Sequence, residues 1–114
     1  MKVFVPNRGG HDYSAAARYG ELVYVSEGLV NRWNLNEMYR MWAAALVDSS
    51  PEDFILETSL NSLCSIGASC FAYRHGRLNL LLFKDGDYIE RKIVISELIR
   101  KENPICFQTE LPSK

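Results

Sequence analysis

Val3-Phe4-Val5-Pro6-Asn7-Arg8-Gly9-Gly10, followed after a polar and alanine-rich stretch by Glu21-Leu22-Val23-Tyr24-Val25-Ser26, decides the fold. Both apolar runs read as strands. Asn7-Arg8-Gly9-Gly10 breaks the first, and Gly28 stops the second. Between them, Asp12 or Ser14 caps a short helix through Ala15, Ala16, Ala17 and Arg18, with Gly20 as its stop. The connection from Asn7 to Gly20 has about 14 residues, near the minimum for joining parallel strands. If that crossover forms, the chain is α/β. If it does not, the two strands make a hairpin and the fold is α+β.

The rest of the chain continues the alternation. Asn34 opens the clearest helix, with Glu37 placed as in a capping box and Leu35, Met38, Tyr39, Trp42 and Leu46 on one apolar stripe. Asp48-Ser49-Ser50-Pro51 ends it, and Asp53 to Glu57 forms a third strand centred on Phe54-Ile55-Leu56. Thr58 or Ser59 caps the next helix, which runs to about Arg74. Its inner face is Leu60, Leu63, Cys64, Gly67, Cys70 and Phe71, and Gly76 stops it. Leu78 to Phe83 is almost wholly apolar, the pattern of a strand buried on both faces. Asp85-Gly86 is a hairpin-turn pair, so Tyr88 to Ile95 returns antiparallel. Ser96 then caps a short helix to about Lys101. The expected fold class is α/β: a small mixed, mostly parallel sheet flanked by helices, Rossmann-like in organisation, with a C-terminal antiparallel hairpin. Residues 1–103 form one domain and residues 104–114 a tail.

Composition narrows the function. The chain has 114 residues, 47% hydrophobic and 24% charged, with a net charge of -1. That is globular material with a real core and no overall basic surface for duplex nucleic acid. No run approaches the roughly 20 apolar residues of a membrane span, and the polar residues from Asn7 onward do not suit a signal peptide, so the expected location is the cytoplasm, with no membrane partner. Three cysteines lack metal-type spacing. Cys64 and Cys70 lie about 9 Å apart along one helix and face different ways, so they read as reduced thiols.

In open parallel sheets ligands bind just beyond the carboxyl ends of the strands. After the first strand come Asn7, Arg8, Gly9, Gly10, His11, Asp12, Tyr13 and Ser14. After the second come Ser26, Glu27 and Gly28; after the third come Glu57, Thr58, Ser59, Asn61 and Ser62. Gly9 and Gly10 permit close backbone approach of a phosphate, the following helix offers free N–H groups, and Arg8 can add a charged contact. Thr58, Ser59 and Asn61 can surround a polar ligand. The bland alternatives are a simple turn at Gly9-Gly10 and ordinary helix caps at Asp12 and Thr58-Ser59. No GxGxxG or Walker pattern is present. His11 beside Asp12, oriented by Glu27, has the residue types of a general acid or base, although a histidine in a polar loop is more often simply solvated. His75 suits a helix C-terminus. His11, Asp12, Glu27 and His75 have no metal-ligand spacing, and no cofactor is expected. Trp33 beside Arg32 is off the helical stripe, a candidate partner or base contact.

Lys2-Val3-Phe4-Val5-Pro6-Asn7-Arg8-Gly9-Gly10-His11-Asp12-Tyr13-Ser14 and His75-Gly76-Arg77-Leu78-Asn79-Leu80-Leu81-Leu82 resemble small uncharacterised accessory proteins of tailed bacteriophages. The two stretches cover about a fifth of the chain. The resemblance implies an accessory protein acting in the cytoplasm of an infected host cell, on a polypeptide or nucleotide target. It carries no catalytic residues.

Three functions follow. The first is binding of a nucleotide or other phosphorylated ligand at Asn7, Arg8, Gly9, Gly10, His11, Asp12, Ser14, Glu27, Thr58, Ser59 and Asn61. The second is a protein-interaction module, either an inhibitor of a host protein or a homo-oligomer subunit, with a patch including Leu29, Val30 and Trp33. The third is a small hydrolase using His11 and Asp12. It ranks last because no serine or cysteine sits in a nucleophile elbow.

Overall fold

The structure is a computed structural model and describes residues 1–58 and 60–97. A five-stranded mixed sheet carries helical segments on both faces. The strands are β1 (Lys2–Val5), β2 (Glu21–Tyr24), β3 (Phe54–Leu56), β4 (Leu78–Lys84) and β5 (Asp87–Ile93), in spatial order β2-β1-β3-β4-β5. The first four are parallel, and β5 is antiparallel to β4. The short first crossover therefore forms: Lys2 pairs with Glu21 and Val5 with Tyr24 in parallel register. It does so with a six-residue 3₁₀ segment, Ser14–Tyr19, in place of an α-helix. A 3₁₀ segment rises further per residue, which helps a short connection span the sheet.

Chain direction across the sheet reverses after β2, and this puts the connections on opposite faces. The 3₁₀ segment covers one face, where Val3, Val5, Phe54, Leu56 and Leu81 meet Tyr13, Ala16 and Tyr88. The helices α1 (Leu35–Ala45) and α2 (Asn61–His75) cover the other, where Phe4 and Ile55 meet Met38, Trp42, Leu46, Leu63 and Phe71. The period-2 alternation of each strand sorts its side chains between these two cores.

Several expectations change in detail. Asn34 caps α1 by accepting the Glu37 N–H at 3.1 Å. Of the expected stripe, Met38, Trp42 and Leu46 are buried, whereas Leu35 and Tyr39 are exposed, because only a narrow seam of α1 faces the sheet and α2. Neither Asp12 nor Ser14 is the cap residue of the 3₁₀ segment; that is Tyr13, and Asp12 instead accepts the Ser14 N–H across an Asx turn. Thr58 does not cap α2, which opens at Leu60 without a side-chain cap; Thr58 Oγ1 accepts the Leu60 N–H at 3.5 Å. β4 is less enclosed than its apolar sequence suggests: Asn79 and Leu81 are buried, but Phe83 is exposed at its far end. The β4–β5 turn places Asp85 and Gly86 at positive φ (53° and 83°), as Asp-Gly favours. Most of the expected Ser96–Lys101 helix and the tail at 104–114 lie outside the described residues.

Arg18 ties the 3₁₀ segment to β5. Its guanidinium donates to Asp87 Oδ2 at 2.7 Å, to the Tyr19 hydroxyl at 2.8 Å and to the Tyr88 carbonyl at 2.9 Å. The Arg18 hydrogen bond, then the Tyr88 N–H, hold the Asp87 carboxyl below its usual range. A carboxyl with a depressed folded pKa contributes stability above its unfolded pKa, of about 3.9, and loses it as pH falls through the folded value. Urea midpoints measured against pH should therefore fall less steeply below about pH 4 in Asp87→Asn than in the wild type. Equal slopes would show that this exposed pair adds nothing, as many surface pairs do.

Candidate functional site

Strand order places the reversal of chain direction between β1 and β3, and a loop leaves the carboxyl end of each there. A cleft of about 380 Å³ opens at this point, lined by His11, Asp12, Tyr13, Glu57, Thr58, Phe83 and Tyr88. Such a volume is within the range of small-molecule sites. The β1 loop supplies His11, Asp12 and Tyr13, the β3 loop supplies Glu57 and Thr58, and the β4–β5 hairpin supplies Phe83 and Tyr88.

The walls are aromatic. Phe83 meets Tyr88 edge-on at 5.3 Å between centroids, and His11 lies 6.1 Å from the Tyr13 ring. Tyr13 and Tyr88 are deeply set, at 9% and 5% exposure, while Phe83 is 63% exposed. Among the polar groups, the Asp12 and Glu57 carboxylates accept, whereas His11, Tyr13, Thr58 and Tyr88 can both donate and accept. Asp12 Oδ1 accepts the Ser14 N–H at 2.9 Å. That bond, then one to the Ser14 side chain, keeps the Asp12 carboxyl below its usual range. Burial pushes the Tyr88 phenol up, and Tyr13 and the Asp12 charge add to the rise. Burial likewise raises the Tyr13 phenol, with Cys64 and Tyr24 contributing.

A smaller cavity of about 200 Å³ adjoins through Glu57 and Thr58, between β3, β4 and α2. Asn61 and Cys64 line it. The Thr58 N–H donates to Cys64 Sγ at 3.4 Å, fastening the β3 loop to the first turns of α2.

The expected site residues separate into groups. His11, Asp12 and Thr58 line the main cleft, and Asn61 lines the smaller one. Ser14 is exposed and holds the Asp12 turn. Asn7 is taken up by the scaffold: its amide donates to the Gly28 carbonyl, and its Oδ1 lies 2.9 Å from the Ser26 hydroxyl, which is shared with the Pro6 carbonyl at 2.7 Å. Arg8 stacks over Tyr24 at 4.5 Å and pairs with Glu27 at 3.8 Å, so both charges belong to the β1–β2 loop junction outside the cleft lining. A methyl group on Gly10 would stand in open space and one on Gly9 would make only ordinary contact with Asn7 Nδ2 at 3.8 Å, so no close approach within the fold requires either glycine. Ser59 lies outside the described residues. No hydrogen bond among the described residues joins His11 to Asp12 or Glu27. Phe83 and Tyr88 were missed from sequence, since a hairpin folds them in from the chain's far side. The one local signal was an aromatic on each side of the Asp85-Gly86 turn.

A serine–histidine pair also sits at the opposite end of the sheet. The Ser49 hydroxyl donates to the Leu46 carbonyl at 2.7 Å, so the His75 Nε2–H donates to Ser49 Oγ at 2.8 Å. Desolvation, then Arg74, lowers the His75 pKa against the opposing pull of Asp53 and Glu52. The nearby Asp53 carboxylate accepts the Lys2 and Ser50 N–H groups. The serine proton and both Asp53 oxygens are thus committed to the backbone, and the group serves as a structural clasp. Among the described residues no group of three or more His, Cys, Asp or Glu side chains could hold a metal ion. No helix there is long and apolar enough to cross a membrane. No family model, curated protein or solved structure matches the chain.

Proposed function

We propose that this protein binds a small ring-bearing ligand, such as a nucleoside, in the cleft at the carboxyl ends of β1, β3 and β4. The observation that carries this reading is the convergence of the β1 and β3 loops on one aromatic-walled cleft where the crossover direction reverses. A Rossmann-like organisation of the sheet accords with that placement. The ring part of a nucleotide suits these walls better than its phosphate. The lining includes no Lys or Arg, Arg8 is held on Tyr24, and Gly9-Gly10 leads into a 3₁₀ segment of only six residues. The resemblance of the opening stretch to phage accessory proteins suggests the setting, the cytoplasm of an infected cell.

A thermal-shift panel of nucleosides and their monophosphates tests this. A ligand at 100 times its Kd stabilises the fold by about 2.7 kcal/mol. Nucleosides should produce such a shift, monophosphates should do no better, and Phe83→Ala should remove it. A panel with no shift would transfer the function to the second reading, a protein-interaction surface on the β2–α1 loop. Leu29 and Trp33 favour that alternative, for both are large apolar side chains standing in solvent.

A further inference from the structure

We propose that the ligand of this cleft is an organic cation, an amine whose N–H groups engage Asp12, Glu57 and the hydroxyls of Tyr13 and Tyr88 while its apolar part lies on the aromatic walls. The inference rests on the ligand-binding reading above and narrows it: a neutral nucleoside occupies the cleft by its ring alone, and a ring-bearing amine binds more tightly.

Four observations lead to it. First, Tyr13 and Tyr88 are each at least nine-tenths buried and line the cleft, yet neither hydroxyl has a hydrogen-bond partner among the described residues. Buried phenols ordinarily find one, because a desolvated hydroxyl left alone is costly. Among the described residues both are thus open to something that enters the cleft. Second, Asp12 and Glu57 line the same space, and the ion pairs among the described residues lie elsewhere: Arg8–Glu27, Arg18–Asp87, Arg77–Glu52 and Lys92–Glu90. The two carboxylates thus present negative charge that no described Lys or Arg neutralises. Third, Phe83, Tyr88 and Tyr13 line the same cleft, and a cation is drawn to an aromatic face. Fourth, burial, then Tyr13 and the Asp12 charge, raise the Tyr88 phenol, so Asp12 and Tyr88 stand near enough to act on the same group. An ammonium group carries the missing sign and can donate to the Asp12 and Glu57 carboxylates and to the phenol oxygens alike. A phosphate or carboxylate could take the phenol protons but would meet like charge from Asp12 and Glu57, with no Lys or Arg in the lining.

Phenethylamine, phenylethanol and phenylacetate share a ring and a short chain and differ in charge, so titrating each while following backbone amide resonances separates the possibilities. Phenethylamine should shift the amides of Asp12, Tyr13, Glu57, Thr58 and Tyr88, and bind about tenfold or more tightly than phenylethanol, with an advantage that shrinks as salt is added. Asp12→Asn keeps the acceptor for the Ser14 N–H, and Glu57→Gln alters an exposed residue, so both should stay folded. Each should weaken phenethylamine by about tenfold and leave phenylethanol unchanged. If phenylethanol or phenylacetate binds in the cleft as tightly as phenethylamine, the cation proposal is overturned while the ligand-binding reading survives. If no probe perturbs the cleft, the cation proposal is overturned, and the ligand-binding reading falls with it when the nucleosides also give no thermal shift.

Discussion

Trp42→Ala should lower the unfolding free energy by about 3–5 kcal/mol, the range for truncating a buried large aromatic. In that background Gly67→Ala should change sign. Trp42 is wholly buried between α1 and α2, and its indole N–H donates to the Leu63 carbonyl at 2.8 Å. A methyl group built on Gly67 would come within 2.3 Å of the same indole ring. The ring cannot retreat without losing that hydrogen bond or displacing the core beneath it. Gly67→Ala alone should therefore destabilise by about 1–3 kcal/mol, the usual cost of overpacking, even after the helix-propensity gain. With Trp42 removed, the methyl group enters open space and only the gain of about 1 kcal/mol in helix propensity remains. Urea denaturation of the four proteins, followed by circular dichroism, measures the cycle. Additive effects would mean that the ring and the glycine do not constrain one another.

Asn79→Leu is the second large effect. It replaces the one polar residue inside the apolar run of β4 and, by composition alone, should suit the strand. The structure argues the reverse. The Asn79 amide donates to the Pro51 carbonyl at 2.6 Å and the Asp53 carbonyl at 2.8 Å, and its Oδ1 accepts from Arg77 Nε at 3.3 Å. It thereby holds the turn before β3 against the amino end of β4. Leucine would strand the buried Asp53 carbonyl, at a cost of about 1–3 kcal/mol for that group alone, with the Pro51 carbonyl adding to it. A lowered urea midpoint with an unchanged slope is the expected result. A midpoint equal to or above that of the wild type would show that water replaces the amide at no cost.

The outcome at Asn79 bears on how far this chain can be read residue by residue. Its neighbours Leu78, Leu80, Leu81 and Leu82 announce a strand, and Asn79 looks like an interruption until Pro51 and Asp53 are placed beside it. Gly67 is similar: it reads as one of several small residues that make α2 slim, but its specific role appears only when Trp42 arrives from another helix. At the cleft, the β1 loop residues His11, Asp12 and Tyr13 and the β3 loop residues Glu57 and Thr58 were legible as strand-end residues. Asn7, Arg8 and Glu27 were equally legible by that criterion, and they became part of the scaffold.

What the sequence determined by itself is the succession of strands and helices, the antiparallel return at Asp85-Gly86, and the set of polar residues at the strand ends. These depend on hydrophobic period, caps and turn residues within a few positions of one another. Only the tertiary structure decided that the first crossover closes in parallel through a 3₁₀ segment. It also decided that Leu35 and Tyr39 face solvent, that Arg8 turns onto Tyr24, and that Phe83 and Tyr88 complete the cleft. Each of these is a contact or an exposure set by residues distant in sequence. Side chains of the same type compete for such places, and the winner is chosen by which neighbours the assembled sheet and helices bring within reach.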